Sequence, residues 1–78
     1  MSVRAKFKVV STTQRQHWDA AKGHIHEIEL SPVVSGSPEN EAFYAATPGG
    51  AIKLQTISHE AGVQFDLGTE FYVDFTRA

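Results

Sequence analysis

The sequence has no cysteine, which excludes disulfide staples and every thiolate metal site. It fits a reducing compartment. No run approaches the roughly 20 apolar residues that span a bilayer, and no signal-peptide pattern opens the chain: Arg4, Lys6 and Lys8 lead only into a short apolar step. The chain therefore reads as soluble and cytoplasmic. There is one Trp, one Met and three Pro, and no repeat, low-complexity segment or interdomain linker. At 78 residues, one small domain is expected, and such a domain buries only about 60% of its unfolded surface. With disulfides excluded, self-association is the expected source of extra stability.

What is present is ordinary in amount, with 41% hydrophobic and 21% charged residues, and uneven in placement. Five of the seven basic residues, Arg4, Lys6, Lys8, Arg15 and Lys22, fall within the first 22 positions. Eight of the nine acids follow, from Glu27 to Asp74. A basic face for an anionic partner, or head-to-tail contacts between subunits, could use this asymmetry. Solvated outer faces on separate strands are the weightier explanation.

Residues 35–50, SGSPENEAFYAATPGG, interrupt a chain that otherwise reads as β. Ser37 before Pro38 is a helix N-cap with proline at the first helical position, and Glu39 and Glu41 complement the dipole. A short helix over about 38–46 is predicted, closed by Thr47-Pro48-Gly49-Gly50. Before it, residues 4–10 alternate, with Ala5, Phe7 and Val9 on one face and Arg4, Lys6 and Lys8 on the other. Residues 11–16 can continue that strand into solvent. Residues 17–23 read as a hairpin loop or one helical turn.

Residues 24–34 alternate again, with Ile28, Leu30, Pro32 and Val34 on one face. Ile25 is out of phase, which places a bulge or changed pairing near His26; Pro32 puts that end at an edge or bulge. Residues 51–57 form a third strand, Ser58 caps a helical turn over about 59–65, and residues 70–76 form the strongest strand. A mainly β fold follows: a small antiparallel β-barrel or curved sheet of four to five strands. The predicted core is Phe7, Val9, Ile28, Leu30, Phe43, Ile52, Leu54, Phe65, Phe71, Val73 and Phe75.

The opening RAKFKV, the centre SPENEAFYAATPGG and the ending GTEFYVDFT resemble a group of small, largely uncharacterised proteins encoded by tailed bacteriophages. In that family an acidic-plus-Asn step precedes Phe and an Ala-Thr-Pro-small-Gly turn. A Phe-x-x-Gly-x-x-aromatic-Tyr-Val-Asp-Phe ending, here residues 65–75, closes the chain. The likeness covers most of the chain except residues 17–26. It implies a phage origin and a host bacterial cytoplasm, and it supplies no activity and no catalytic residue.

No assembled chemistry is visible. His24-x-His26 puts two imidazoles on one strand face, and His17, His59 or Glu29 could join them, but one pair does not make a metal site; a solvent-exposed pair is expected. Glu27 and Glu29 share a face, yet Ser11, Ser31 and Ser58 have no nearby His–Asp motif, so no enzyme is predicted and no cofactor is implied. The turn at residues 47–50 lacks the Walker spacing and lysine but could present backbone N–H groups as an anion nest. Trp18 would anchor a partner or cover the barrel's open end in equal measure.

The leading expectation is a non-enzymatic binding module, self-associating, that captures a nucleotide-type defence signal or a host defence protein. Arg4, Lys6, Lys8 and the turn at Thr47, Gly49 and Gly50 are the anion contacts in that reading, and Trp18, Tyr44 and Tyr72 the stacking groups. Two alternatives are a barrel binding single-stranded nucleic acid, which a pI near 6.0 opposes, and a minor virion or assembly component.

Overall fold

The structure, a computed structural model, describes residues 3–78. Strand β1 runs Val3–Gln16 and β2 His24–Pro32, joined by a hairpin loop whose Ala20–Lys22 form a single 3-10 turn. Helix α1 (Pro38–Ala45), β3 (Ile52–Thr56), helix α2 (His59–Gly62) and β4 (Glu70–Phe75) follow. The four antiparallel strands lie in the order β3-β2-β1-β4, in one sheet curled into a half-barrel. No described helix is long and apolar enough to cross a membrane.

β1 is the spine. Its 14 residues, at roughly 3.3 Å each, reach about 46 Å, and the long axis of the molecule is 45 Å. Its first half pairs with β4, from Val3 opposite Phe75 to Lys8 opposite Glu70. From Phe7 opposite Pro32 to Gln16 opposite His24 it pairs with β2. The polar residues 11–16 thus stay in the strand.

A register shift between Val9 and Ser11 makes Val10 an extra residue, half-exposed at 49%. This bulge inverts the parity of β1. Ala5, Phe7 and Val9 face the concave side before it; Thr12 and Gln14, opposite Ile28 and His26, face that side after it. The irregularity expected near His26 therefore sits across the ladder, on β1. β2 stays regular, and Ile25 simply lies on the convex face opposite Arg15.

The core consists of Ala5, Phe7, Val9, Ile28, Leu30 and Tyr44, with Phe43, Ile52, Phe65, Phe71 and Val73 packed against it. Each fully buried large apolar side chain contributes about 1.5–3 kcal/mol. Two expected core members are not buried: Leu54 is 43% and Phe75 55% exposed. Both point to the concave side, but from β3 and β4, the two edges, where a half-barrel has no neighbour to cover them. Val34, expected on the inward face, is also exposed because β2 ends at Pro32.

α1 forms as its cap predicts, with the Asn40 N–H donating to Ser37 Oγ at 3.1 Å and Pro38 in the first turn. Its buried face carries an unforeseen polar member, Asn40, at 2% exposure. Asn40 Oδ1 accepts from the Lys6 N–H (3.0 Å), and its amide donates to the carbonyls of Val33 and Ser35. The Lys6 carbonyl in turn accepts from Val33 N–H and from the Tyr44 hydroxyl. Where β2 stops at Pro32, α1 thus takes over its neighbour's ladder, satisfying backbone groups that would otherwise be stranded.

Candidate ligand-binding cleft

The connection from β3 to β4 has to cross the sheet from one edge to the other, and it does so over the concave face. Ser58 Oγ caps α2 by accepting from Ala61 N–H at 3.3 Å. Gly62 is buried directly on His26: a Cβ there would lie 2.6 Å from the imidazole Cγ, so only glycine allows this approach. Farther along, Phe65 packs on Phe71 with ring centroids 5.3 Å apart. Gly68, at φ +86°, turns the chain so that its N–H donates to the Val9 carbonyl, while the Val9 N–H donates to the Thr69 carbonyl.

Between this crossing segment and the distal half of the β1–β2 ribbon lies a cleft of about 340 Å³. Thr12 and Gln14, brought round by the bulge, form its floor with His26 and Ile28; Phe65, Asp66 and Leu67 form the opposite wall. The volume lies within the roughly 300–1,000 Å³ range of small-molecule sites. Its lining mixes apolar walls with amide, hydroxyl and imidazole groups and holds no serine or cysteine. Glu27 at its margin is engaged by Arg15 (2.7 Å) and by the Gln55 amide (2.8 Å). The sequence pattern gives no sign of Thr12 and Gln14 as cleft residues, since polar strand residues with no apolar alternation read as solvent-facing; Phe65 reads from it as core, which it also joins, and Asp66 as part of a turn.

The sequence-nominated residues fall elsewhere. Arg4, Lys6, Lys8 and Tyr72 do come together, on the convex face of the β1–β4 seam. Two of the cations are already paired: Arg4 Nε with Asp74 at 2.7 Å, and Lys6 Nζ with Glu70 at 2.8 Å. The bond to Asp74 raises the Arg4 pKa, and the bond to Glu70 raises that of Lys6. Reciprocally, hydrogen bonding to Lys6 holds the Glu70 carboxyl below its usual range, and Arg4 does the same for Asp74. The Tyr72 ring lies 5.4 Å from the Arg4 guanidinium and 5.7 Å from the Lys6 ammonium. Lys8 forms no salt bridge among the described residues.

Tyr44 is not a free stacking platform. It is 9% exposed, its hydroxyl donates to the Lys6 carbonyl at 3.1 Å, and burial pushes the phenol pKa up. Nor does the turn at residues 47–50 make an anion nest. Thr47 spends its hydroxyl on the Phe43 carbonyl (2.8 Å) and its N–H on the Tyr44 carbonyl. Gly49 and Gly50 are not among the positive-φ glycines, Gly23, Gly36 and Gly68, so the alternating backbone that a nest requires is not formed.

Trp18 stands at the hairpin tip, 88% exposed, stacked on His17 at 3.9 Å. His17 itself is buried, and its Nδ1 accepts from the Asp19 N–H at 2.8 Å. The histidines do not converge: His24 is exposed, His26 and His59 lie 5.7 Å apart, and no group of three metal-ligating side chains forms among the described residues. Comparison with known proteins adds nothing to this geometry: no family model, curated protein or solved structure matches the chain.

Proposed function

We propose that this chain is a non-enzymatic binding module that captures a small ligand stoichiometrically in the cleft over Thr12, Gln14 and His26. The observation that carries the reading is the cleft itself, whose 340 Å³ combine the Phe65 wall and the Ile28 floor with the Gln14 amide and the Thr12 hydroxyl. Apolar walls with a few convergent hydrogen-bonding groups suit a planar heterocycle bearing donors and acceptors, so a nucleotide-type ligand enters base first. In the phage setting that the sequence resemblance implies, such a ligand is a nucleotide-type defence signal in the host cytoplasm.

Native mass spectrometry of the protein purified from infected bacteria tests this. The expected result is one small-molecule adduct per cleft, released chemically intact on denaturation and lost in Gln14→Ala. Protein free of any adduct, and without binding of added nucleotides by calorimetry, overturns the capture reading, as does a ligand released as a converted product.

Trp18 favours a second reading, capture of a host defence protein, because a largely exposed tryptophan is a typical interface anchor. That partner would be retained by the intact chain and lost in Trp18→Ala. Binding of single-stranded nucleic acid has weaker support: of the three cations on the β1–β4 face, Arg4 and Lys6 are tied to acids.

A further inference from the structure

The sheet has two outer edges, and they are not protected alike. On β3 the Lys53 side chain is 75% exposed and reaches Glu29 only at 3.8 Å, a loosely paired charge of the kind that blunts an edge. Beyond β4, residues 11–16 of β1 are all polar and include Arg15. β4 has neither defence: it contains no Pro, Gly or bulge, and both its acids are engaged by Lys6 and Arg4. A strand arriving beside β4 therefore meets little uncompensated charge.

The backbone of that edge is also available. Val9 makes its hydrogen bonds on the β4 side, to Gly68 and Thr69. Alternation along the antiparallel ladder then directs Ala5 and Phe7 toward Val73 and Phe71, their register partners. The N–H and C=O groups of Tyr72 and Asp74 consequently face outward. Beside them Phe75, patterned by the sequence as core, is left 55% exposed on the concave face.

We propose that two copies of this chain pair β4 against β4 across a two-fold axis centred on Val73, continuing the sheet from one half-barrel into the next. In that register Phe71 of each copy covers Phe75 of the other, and Tyr72 exchanges backbone hydrogen bonds with Asp74. Centring on Tyr72 instead would set Phe75 opposite Thr69 and leave its ring uncovered. A register centred on Phe71 would leave Phe75 uncovered. The isologous contact closes on itself, as most soluble oligomers do. It is independent of what the cleft holds.

Sedimentation equilibrium of the purified full chain tests the pairing, with Phe75→Lys and Tyr72→Pro as variants. Phe75→Lys places a charge at the contact, and Tyr72→Pro removes an outward N–H without touching the β1–β4 bonds. The expected species is a dimer of twice the 8.6 kDa chain mass. Each variant should weaken it at least about tenfold while keeping the far-ultraviolet circular dichroism of the parent. Mixed isotope labelling should show intermolecular contacts between Phe71 and Phe75. A parent chain monomeric at tens of micromolar, a mass that grows without limit, or a dimer whose mass neither folded variant changes overturns the proposal. Should both variants fail to fold, the labelling experiment decides: intermolecular contacts confined to other elements overturn it.

Discussion

Asn40 shows how much one side chain can hold here. It replaces a strand neighbour for Lys6, closes the loop after β2 through two carbonyls, and sits in the first turn of α1. Asn40→Ala leaves a buried N–H and two carbonyls without partners, so a loss of about 2–3 kcal/mol is expected. Urea denaturation with an unchanged m-value measures it. Neither Asn40 nor Tyr44 could be placed from sequence. Both are amphipathic residues in a short helix, and only the strand end at Pro32 decides that they turn inward. Trp18, which the sequence leaves open between cover and anchor, lies largely exposed at the ribbon tip and covers no part of the core.

At the scale of elements, the β1–β4 seam couples stability to pH. Glu70 and Asp74 have folded-state pKa values lowered by Lys6 and Arg4. Their contribution is thus complete above the unfolded carboxylate range and is lost as pH falls through the folded values. Thermal midpoints should decline on acidification below roughly pH 4, and a Glu70→Gln, Asp74→Asn chain should start lower at pH 7 and decline less. The elements themselves were largely legible. Strict alternation marked β1, β2, β3 and β4, and the Ser37-Pro38 cap marked α1. The bulge was not legible, because Val9, Val10 and the threonines after them suit either face, so the chain gives no phase where its parity changes. With the parity hidden, the cleft floor of Thr12 and Gln14 was hidden too.

For the molecule as a whole, an open half-barrel whose described residues include six in the buried core cluster leaves little reserve of stability. If β4 pairs as proposed, folding and association are linked by mass action, and the melting temperature should rise with protein concentration. Differential scanning calorimetry over a hundredfold dilution series checks this; a midpoint that stays fixed would dissociate the fold from any pairing. The dependence should vanish in Phe75→Lys.

The placement of the chain's single tryptophan also governs what optical experiments on it report. Trp18 is the dominant fluorophore, yet it lies at the far end of a ribbon and touches the core nowhere, stacked only on His17. Its emission follows the integrity of the hairpin tip, which can fray while the sheet remains intact. Denaturation curves read by fluorescence and by circular dichroism should therefore separate, the fluorescence transition coming first. Such a separation would reflect where the reporter sits and would be no evidence of a folding intermediate.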